Sequence, residues 1–287
     1  MHLITEPFTY AFFGNALLAG AVVGALCGAL GVFVVLRQMS YIGQGLSQSV
    51  LGGVAPAAIA GVSPYAGAVA ATITAGWLIH VVGRRYGIRP DAAIGIVATT
   101  MFAVGVAVVS ANRQKAVNLT DLLFGNILGV TLTDIVIVSV TAAALIALLL
   151  VFFKPLVFAT IDPVGAAANG IRVARIQLLS TIALAAAVVV SIRVVGVLLI
   201  AAVIVIPAAT ARLVLRSFGA AVATAAGLGA FSAVVGLFVS FHTNIASGPS
   251  IVLASACLFA IVVVIDAVAL RRITRRAAAH HSAAERT

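Results

Sequence analysis

A polar segment, residues 39–56, interrupts an otherwise apolar chain and carries the side chains best suited to handling a solute. If this segment is a helix, the spacings i, i+4, i+7 and i+8 put four polar side chains on one face: Ser40, Gln44, Ser47 and Gln48. Amides and hydroxyls that face lipid are costly, so this face should meet protein or a water-filled path. Hydrogen bonding between helices and a transport path are both open hypotheses.

Glycines recur beside this stripe and in the first apolar segment. The first set is Gly43, Gly45, Gly52 and Gly53, and the second set, spaced by four residues, is Gly20, Gly24 and Gly28. Small residues at such spacings let the backbones of neighbouring membrane helices come close. Both segments are therefore predicted to pack tightly against other helices.

The composition limits the protein to one broad class. Of the 287 residues, 63% are hydrophobic and only 8% are charged, and the mean hydropathy is +1.25. A soluble domain of this composition could not cover its surface with polar groups. We therefore expect an all-α polytopic protein in the lipid bilayer. The net charge of +10 is typical of basic cytoplasmic loops and does not indicate nucleic-acid binding.

Nine apolar stretches are long enough to be spanning helices. They are residues 11–36, 41–61, 65–83, 91–110, 134–153, 176–192, 194–214, 219–241 and 248–270. The number is eight if 41–61 or 194–214 is a broken or re-entrant element. Residues 1–270 then form one membrane domain, followed by a basic tail, 271–287, that is expected to be disordered and to lie against anionic lipid.

Basic residues predict the orientation of these spans. If the tail is cytoplasmic, 14 of the 17 lysines and arginines lie in cytoplasmic segments, and only Arg113, Lys115 and Arg193 lie outside. Such asymmetry places the N-terminus outside and the C-terminus in the cytoplasm. The outer connection 111–133 also contains an apolar run, LLFGNILGV, that can dip into the membrane.

The longest cytoplasmic connection, residues 154–175, contains the signals of a short helix. Asp162 can cap it, Pro163 suits its first position, and Gly170 suits its end. A short capped helix on this side of a transporter is a natural docking element for a soluble partner. A surface helix without a partner is the alternative.

Motifs of catalysis and cofactor binding are absent from the sequence. There is no phosphate-binding GxxxxGK[ST], no HExxH and no Cys/His cluster at metal-ligand spacing. His80 and His242 stand alone. We therefore expect neither an enzyme nor a bound cofactor.

The string MSYIGQGLSQSVLGGVA resembles the signature MSxxGDALSHxxLPGxA of membrane permeases from ABC importers for manganese, zinc and ferrous iron. Four further blocks resemble that family in the same order: DAAIGIVATTMFAVGVAVVS, DLLFGNILGV, IDPVGAAANGI and VVGVLLIAAVIVIPAATARL. The resemblance covers residues 11–270. It implies a multi-pass protein of the bacterial cytoplasmic membrane that pairs with a second permease subunit, in a homo- or heterodimer. It also implies cytoplasmic ATPase subunits, which hold the ATP, and an extracytoplasmic metal-binding protein.

The same resemblance assigns roles to residues. The polar stripe (Ser40, Gln44, Ser47 and Gln48) would line the transport path, and the coupling helix would include Asp162, Pro163, Ala167 and Gly170. Where the family has Asp and His as metal ligands, this chain has Gln44 and Gln48, and Gly52 replaces a proline. Neutral amides are weaker ligands for Mn²⁺ or Zn²⁺. Three explanations stay open: a different cargo, a more hydrated metal, or charged ligands from a second subunit.

The sequence thus favours the membrane subunit of an ATP-driven importer of manganese or zinc, or else iron. The same architecture with another cargo, such as a metal chelate, is one alternative. A standalone secondary transporter or channel is another, although no carboxylate suited to a proton relay stands within a span. A membrane scaffold without transport activity is the last.

Overall fold

Long apolar runs fold as helices in lipid because the backbone must satisfy its own hydrogen bonds there. The structure is a computed structural model that describes residues 11–37, 39, 41–111, 131–215, 217–243 and 245–284. The helices in those ranges are α1 (Ala11–Leu36), α2 (Ile42–Ile59), α3 (Pro64–Arg85), α4 (Pro90–Ala111), α5 (Leu132–Val151), α6 (Phe153–Ile161), α7 (Pro163–Ala168), α8 (Val173–Val195), α9 (Ile200–Val214), α10 (Phe218–Thr243) and α11 (Ser247–Ala284). These ranges contain no strand, and the predicted all-α class is confirmed.

Seven helices of the described chain are long and apolar enough to cross a membrane. Their candidate spans are Phe13–Leu36, Pro64–Gly83, Asp91–Ala111, Leu132–Val151, Val173–Ile192, Phe218–Thr243 and Ser247–Val268. Helix α2, with 18 residues, and helix α9, with 15, are shorter. At 1.5 Å per residue they extend about 27 and 22 Å, less than the roughly 30 Å of a hydrocarbon core. These are the two segments for which the sequence leaves a broken or re-entrant element open.

The boundary between α8 and α9 differs from the predicted boundary. Helix α8 continues to Val195, and α9 begins only at Ile200. Between them Gly196 has a φ of 86°, a conformation that L side chains rarely adopt and that ends a helix. The predicted span 194–214 therefore begins too early.

Two helix groups make up the bundle. In the first, α1 packs along α10 and also contacts α9; in the second, α2 lies between α3 and α4. Helix α8 contacts both groups. Backbones touch where α1 meets α10: a Cβ built on Gly24 would lie 2.3 Å from the carbonyl oxygen of Gly229. The glycine spacing of the first span thus has the packing role predicted from the sequence.

The segments predicted to be cytoplasmic meet at one end of the bundle. Residues from the ends of α1, α3 and α6 and from the beginnings of α7 and α8 line a common cavity there, together with the connection between α3 and α4. Three predicted features lie outside the described residues: Ser40, most of the outer connection (112–130) and the final residues 285–287. Helix α11 continues to Ala284, so it includes most of the segment predicted as a tail, whose disorder stays a prediction.

Candidate functional site

Helix α2 carries the polar stripe, and its local sequence limits how it can pack. It begins at Ile42 and ends at Ile59, with Pro56 inside its last turns. Proline has no N–H, so the carbonyl of Gly52 loses its usual partner within the helix. The resembling family has its proline at the position of Gly52. In this chain the helix-breaking proline, Pro56, stands one turn later.

Three glycines bring α2 into close contact with its two neighbours. A Cβ on Gly53 would lie 2.1 Å from the carbonyl oxygen of Gly67 in α3, and a Cβ on Gly52 would lie 2.5 Å from that of Met101 in α4. A Cβ on Gly45 would lie 2.5 Å from Cγ2 of Ile94 in α4. Real Cβ atoms do not approach so closely. The glycines therefore fix α2 between its two neighbours.

The two amides lie on the side of α2 opposite Gly53, which we call the open side; Gly52 follows Gln48 by one turn at its edge. The side chain of Gln44 is exposed, and that of Gln48 is partly buried. Neither amide has a hydrogen-bond partner among the residues that the structure describes. Within the described part of this subunit, then, the two amides do not hydrogen-bond to other helices. Their donors and acceptors stay free for water, cargo or another chain.

Ser47 does not share this open side. It is fully buried, and its Oγ donates to the carbonyl oxygen of Gln44 at 2.9 Å. A serine that bonds to its own helix backbone satisfies its hydroxyl locally. The structure therefore brings Gln44 and Gln48 together on the open side and turns Ser47 into the packed interior.

The open side of α2 offers oxygen ligands without charge. Across the described ranges, no group of three His, Cys, Asp or Glu side chains is placed to hold a metal ion. Amide oxygens can coordinate hard cations, but they bind transition metals more weakly than carboxylates and imidazoles do. The arrangement suits passage of a cation better than its retention.

A second candidate element, α7, lies at the end of the bundle that contains the basic connections. The carboxylate of Asp162 accepts from the backbone N–H of Gly165 at 2.8 Å, and Pro163 occupies the first turn. Gly170, at φ 78°, follows the helix. Val164 is 79% exposed although it is apolar, so α7 presents an apolar contact to its surroundings.

Arg37, at the end of α1, is a residue whose setting the sequence did not reveal. Its guanidinium is largely buried, with Nε donating to Thr160 Oγ1 at 3.3 Å and Nη1 donating to Ser180 Oγ. Thr160 is in α6 and Ser180 is in α8, the helices on either side of α7 along the chain. These partners are more than 100 residues away in sequence, so no local pattern could have indicated them.

The chain matches known transport proteins over nearly its whole length. Residues 9–266 match the model of the ABC 3 transport family. The manganese transport system membrane protein MntC of Halalkalibacterium halodurans is 35% identical over 256 residues, which cover 89% of this chain and 88% of that protein. The chelated iron transport system membrane protein YfeC of Yersinia pestis is 33% identical over 259 residues, covering 90% of this chain and 88% of that protein.

A solved structure agrees with these matches. A chain of PsaBC from Streptococcus pneumoniae, in complex with Fab, superposes with a TM-score of 0.82 and 35% sequence identity. The match covers 91% of this chain and 94% of that chain. Both the fold and the permease resemblance of the sequence are thereby confirmed. The chain belongs to the ABC 3 transport family and is a membrane permease subunit of an ABC transporter rather than an enzyme.

Proposed function

We propose that this permease imports a divalent transition metal, with manganese the first candidate and zinc or iron within the same class. An extracytoplasmic binding protein delivers the metal, and ATP hydrolysis on separate cytoplasmic subunits drives its passage. The observation that carries the proposal is the open amide side of α2 in a chain that matches the family over residues 9–266. The cargo named for the relative MntC supports manganese.

The path runs along the open side of α2, where the amide oxygens of Gln44 and Gln48 replace some of the water molecules around the moving cation. Neutral amides hold a divalent ion only loosely, which suits release but not tight selection. Selection then depends on the binding protein or on side chains of a second permease subunit that faces α2. Such a subunit would also cover the exposed Gln44, whose amide has no partner within the described chain.

Coupling to the ATPase runs through α7. The Asp162 cap and Pro163 stabilise this helix of six residues locally, and the buried Ala166 packs it against its neighbours. The exposed Val164 gives it an apolar tip that can enter a cleft of a soluble subunit. Movement of α7 would pass to α6 and α8, which adjoin it in the chain.

The orientation follows from the basic residues: the end of the bundle with α7 faces the cytoplasm of a bacterial cell, and so does the C-terminus. Two exposed positions at opposite ends, Ser63 before α3 and Val164 in α7, can test this orientation. In a background without Cys27 and Cys257, a membrane-impermeant thiol reagent should label Ser63→Cys in intact cells and Val164→Cys only after lysis. The reverse pattern would overturn the orientation.

The cargo is tested by the metal content of cells. Cells without the chain should contain less manganese than wild-type cells in metal-poor medium, and the wild-type chain should restore it. The double variant Gln44→Leu with Gln48→Leu should not restore the manganese content. Equal manganese, zinc and iron contents in all strains would contradict transport of a transition metal.

One observation favours a second cargo, a metal held in a chelate. The described open side of α2 presents amides where the family has charged ligands, and one relative is named for chelated iron. A chelated metal needs shape and hydrogen bonds rather than charged ligands. Uptake of the metal only in the presence of a chelator would favour this alternative.

A further inference from the structure

Arg37 has more hydrogen-bonding capacity than the described chain uses. A guanidinium has five N–H donors, and two of its nitrogens reach the hydroxyls of Thr160 and Ser180. The third nitrogen, Nη2, is buried and has no partner among the described residues. A buried donor without a partner costs free energy, so the guanidinium has hydrogen-bonding capacity that the described chain does not use.

The charge of Arg37 is also unbalanced. Both partners of its guanidinium are neutral hydroxyls, and no described carboxylate forms an ion pair with it. Burial lowers the pKa of the guanidinium below its usual range, yet an arginine in a protein keeps its charge. The carboxylate of Asp162, nearby in the chain to Thr160, already accepts from the backbone of α7.

Arg37 faces a cavity of about 660 Å³ at this end of the bundle. Arg89 and His80 also line the cavity, together with the polar side chains of Thr160, Gln177 and Thr181. None of the described residues that line it is acidic. The cavity therefore combines positive charge with neutral hydrogen-bonding groups, and it has room for an anion of several heavy atoms.

We infer that this cavity binds a phosphate oxyanion, with Arg37 as its main ligand and Arg89 as a second cation. A guanidinium matches phosphate because two of its N–H groups can donate to two oxygens at once. The site is separate from the open side of α2 and does not depend on which cargo is transported.

Two sources can supply that phosphate. Arg37 directly follows the last residue of the first candidate span, so a bilayer fitted to that span would put it near the lipid headgroups. The headgroup of an anionic lipid can therefore enter from the membrane. A free phosphate can enter from the aqueous side. The chemistry at the guanidinium is the same in both cases.

The test uses the full-length chain, purified in a neutral detergent and depleted of lipid. Its thermal unfolding is followed with three additions: inorganic phosphate, phosphatidylglycerol, and a diglucosyl lipid without phosphate. A ligand that binds only the folded protein raises the unfolding temperature. We expect a rise with inorganic phosphate, with phosphatidylglycerol or with both, and none with the diglucosyl lipid.

Three variants connect the effect to the cavity. Loss of a charge-assisted contact should weaken the affinity about 10- to 100-fold in Arg37→Gln. Arg89→Gln should weaken it less, and Arg172→Gln, an exposed arginine at the same end that does not line the cavity, should leave it unchanged. If Arg37→Gln does not fold, the test compares the affinity of Arg89→Gln with that of Arg172→Gln.

The outcomes separate clearly. A response to phosphatidylglycerol alone identifies a lipid site, and a response to inorganic phosphate alone identifies a site for a free anion. Either result, or a response to both additions, supports the inference. No response to either addition overturns it. Equal responses in the wild type, Arg37→Gln and Arg89→Gln also overturn it, because the phosphate would then bind elsewhere.

Discussion

The two sides of α2 differ in what they meet. On one side Gly53 brings the backbone against α3, while on the opposite side Gln44 and Gln48 have no partner within the described chain. The first side is fixed by its own subunit, and the second is left available to cargo or to another chain. The contacts that hold the fold are thus separate from the side chains that can handle cargo, and substitutions should separate the two.

The largest effect on stability is expected at Gly53, on the side of α2 that packs against α3. In Gly53→Leu the new side chain would start 2.1 Å from the carbonyl oxygen of Gly67, which is backbone and cannot move aside alone. Overpacking typically costs about 1–3 kcal/mol, and a clash with backbone should lie at the upper end of that range. The unfolding temperature in detergent should fall strongly or the protein should not be recovered.

Gly95→Leu in α4 is the matched control for that experiment. Nothing lies within 4 Å of a Cβ at this position, so the same substitution should fold and unfold like the wild type. Equal stability of Gly53→Leu and the wild type would show that the close approach of α2 and α3 is not needed.

A smaller effect is expected at α7, a separate helix that belongs to neither side of α2. Asp162→Ala removes the carboxylate that accepts from Gly165 N–H, and loss of such a cap costs about 1 kcal/mol. A helix this short should then lose its shape, so ATP-driven uptake should fall while the bundle unfolds at its usual temperature.

Asp162→Asn separates the cap from the charge in this experiment. Asparagine caps helices as well as aspartate does, so this variant should keep most of the uptake. Full uptake by Asp162→Ala, with normal stimulation of the ATPase, would overturn the docking role of α7.

The smallest effect on stability is expected on the open side. Gln44→Leu and Gln48→Leu remove amides that bond to nothing in the described subunit, so the stability should change by less than about 0.5 kcal/mol. Uptake should nevertheless fall, because the oxygen ligands of the path are lost. Ser47→Ala is the control: its hydroxyl is buried against its own helix, and uptake should stay normal. Normal uptake by both glutamine variants would contradict a path along this side.

The sequence could predict those features that depend on local pattern. Asp162, Pro163 and Gly170 are a cap, a first-turn residue and a terminator, each of which acts on its own backbone, so α7 could be recognised without the fold. The four-residue spacing of Gly24 and Gly28 likewise indicated a packed face. In both cases the controlling interactions lie within a few residues of each other or repeat along one helix.

Features that depend on distant packing could not be predicted. Ser47 and Gln48 are neighbours in sequence, which puts them about 100° apart around the helix axis. The spacing alone does not say where the open side ends. In the structure its edge lies between the buried Ser47 and the partly exposed Gln48. The environment of Arg37 depends on how α6 and α8 pack beside α1. From sequence, this arginine indicated only which side of the membrane it lies on.

The most direct test of the central claim restores the charged ligands on the open side of α2. If Gln44 and Gln48 line a path for a divalent metal, Gln44→Asp with Gln48→His should fold with nearly unchanged thermal stability, because a wet side of the helix tolerates a new charge. The purified double variant should then retain more Mn²⁺ or Zn²⁺ per chain than the parent protein, as measured by elemental analysis after dialysis. A destabilised double variant that retains no more metal than the parent would contradict the path and leave the two glutamines with a role in packing alone.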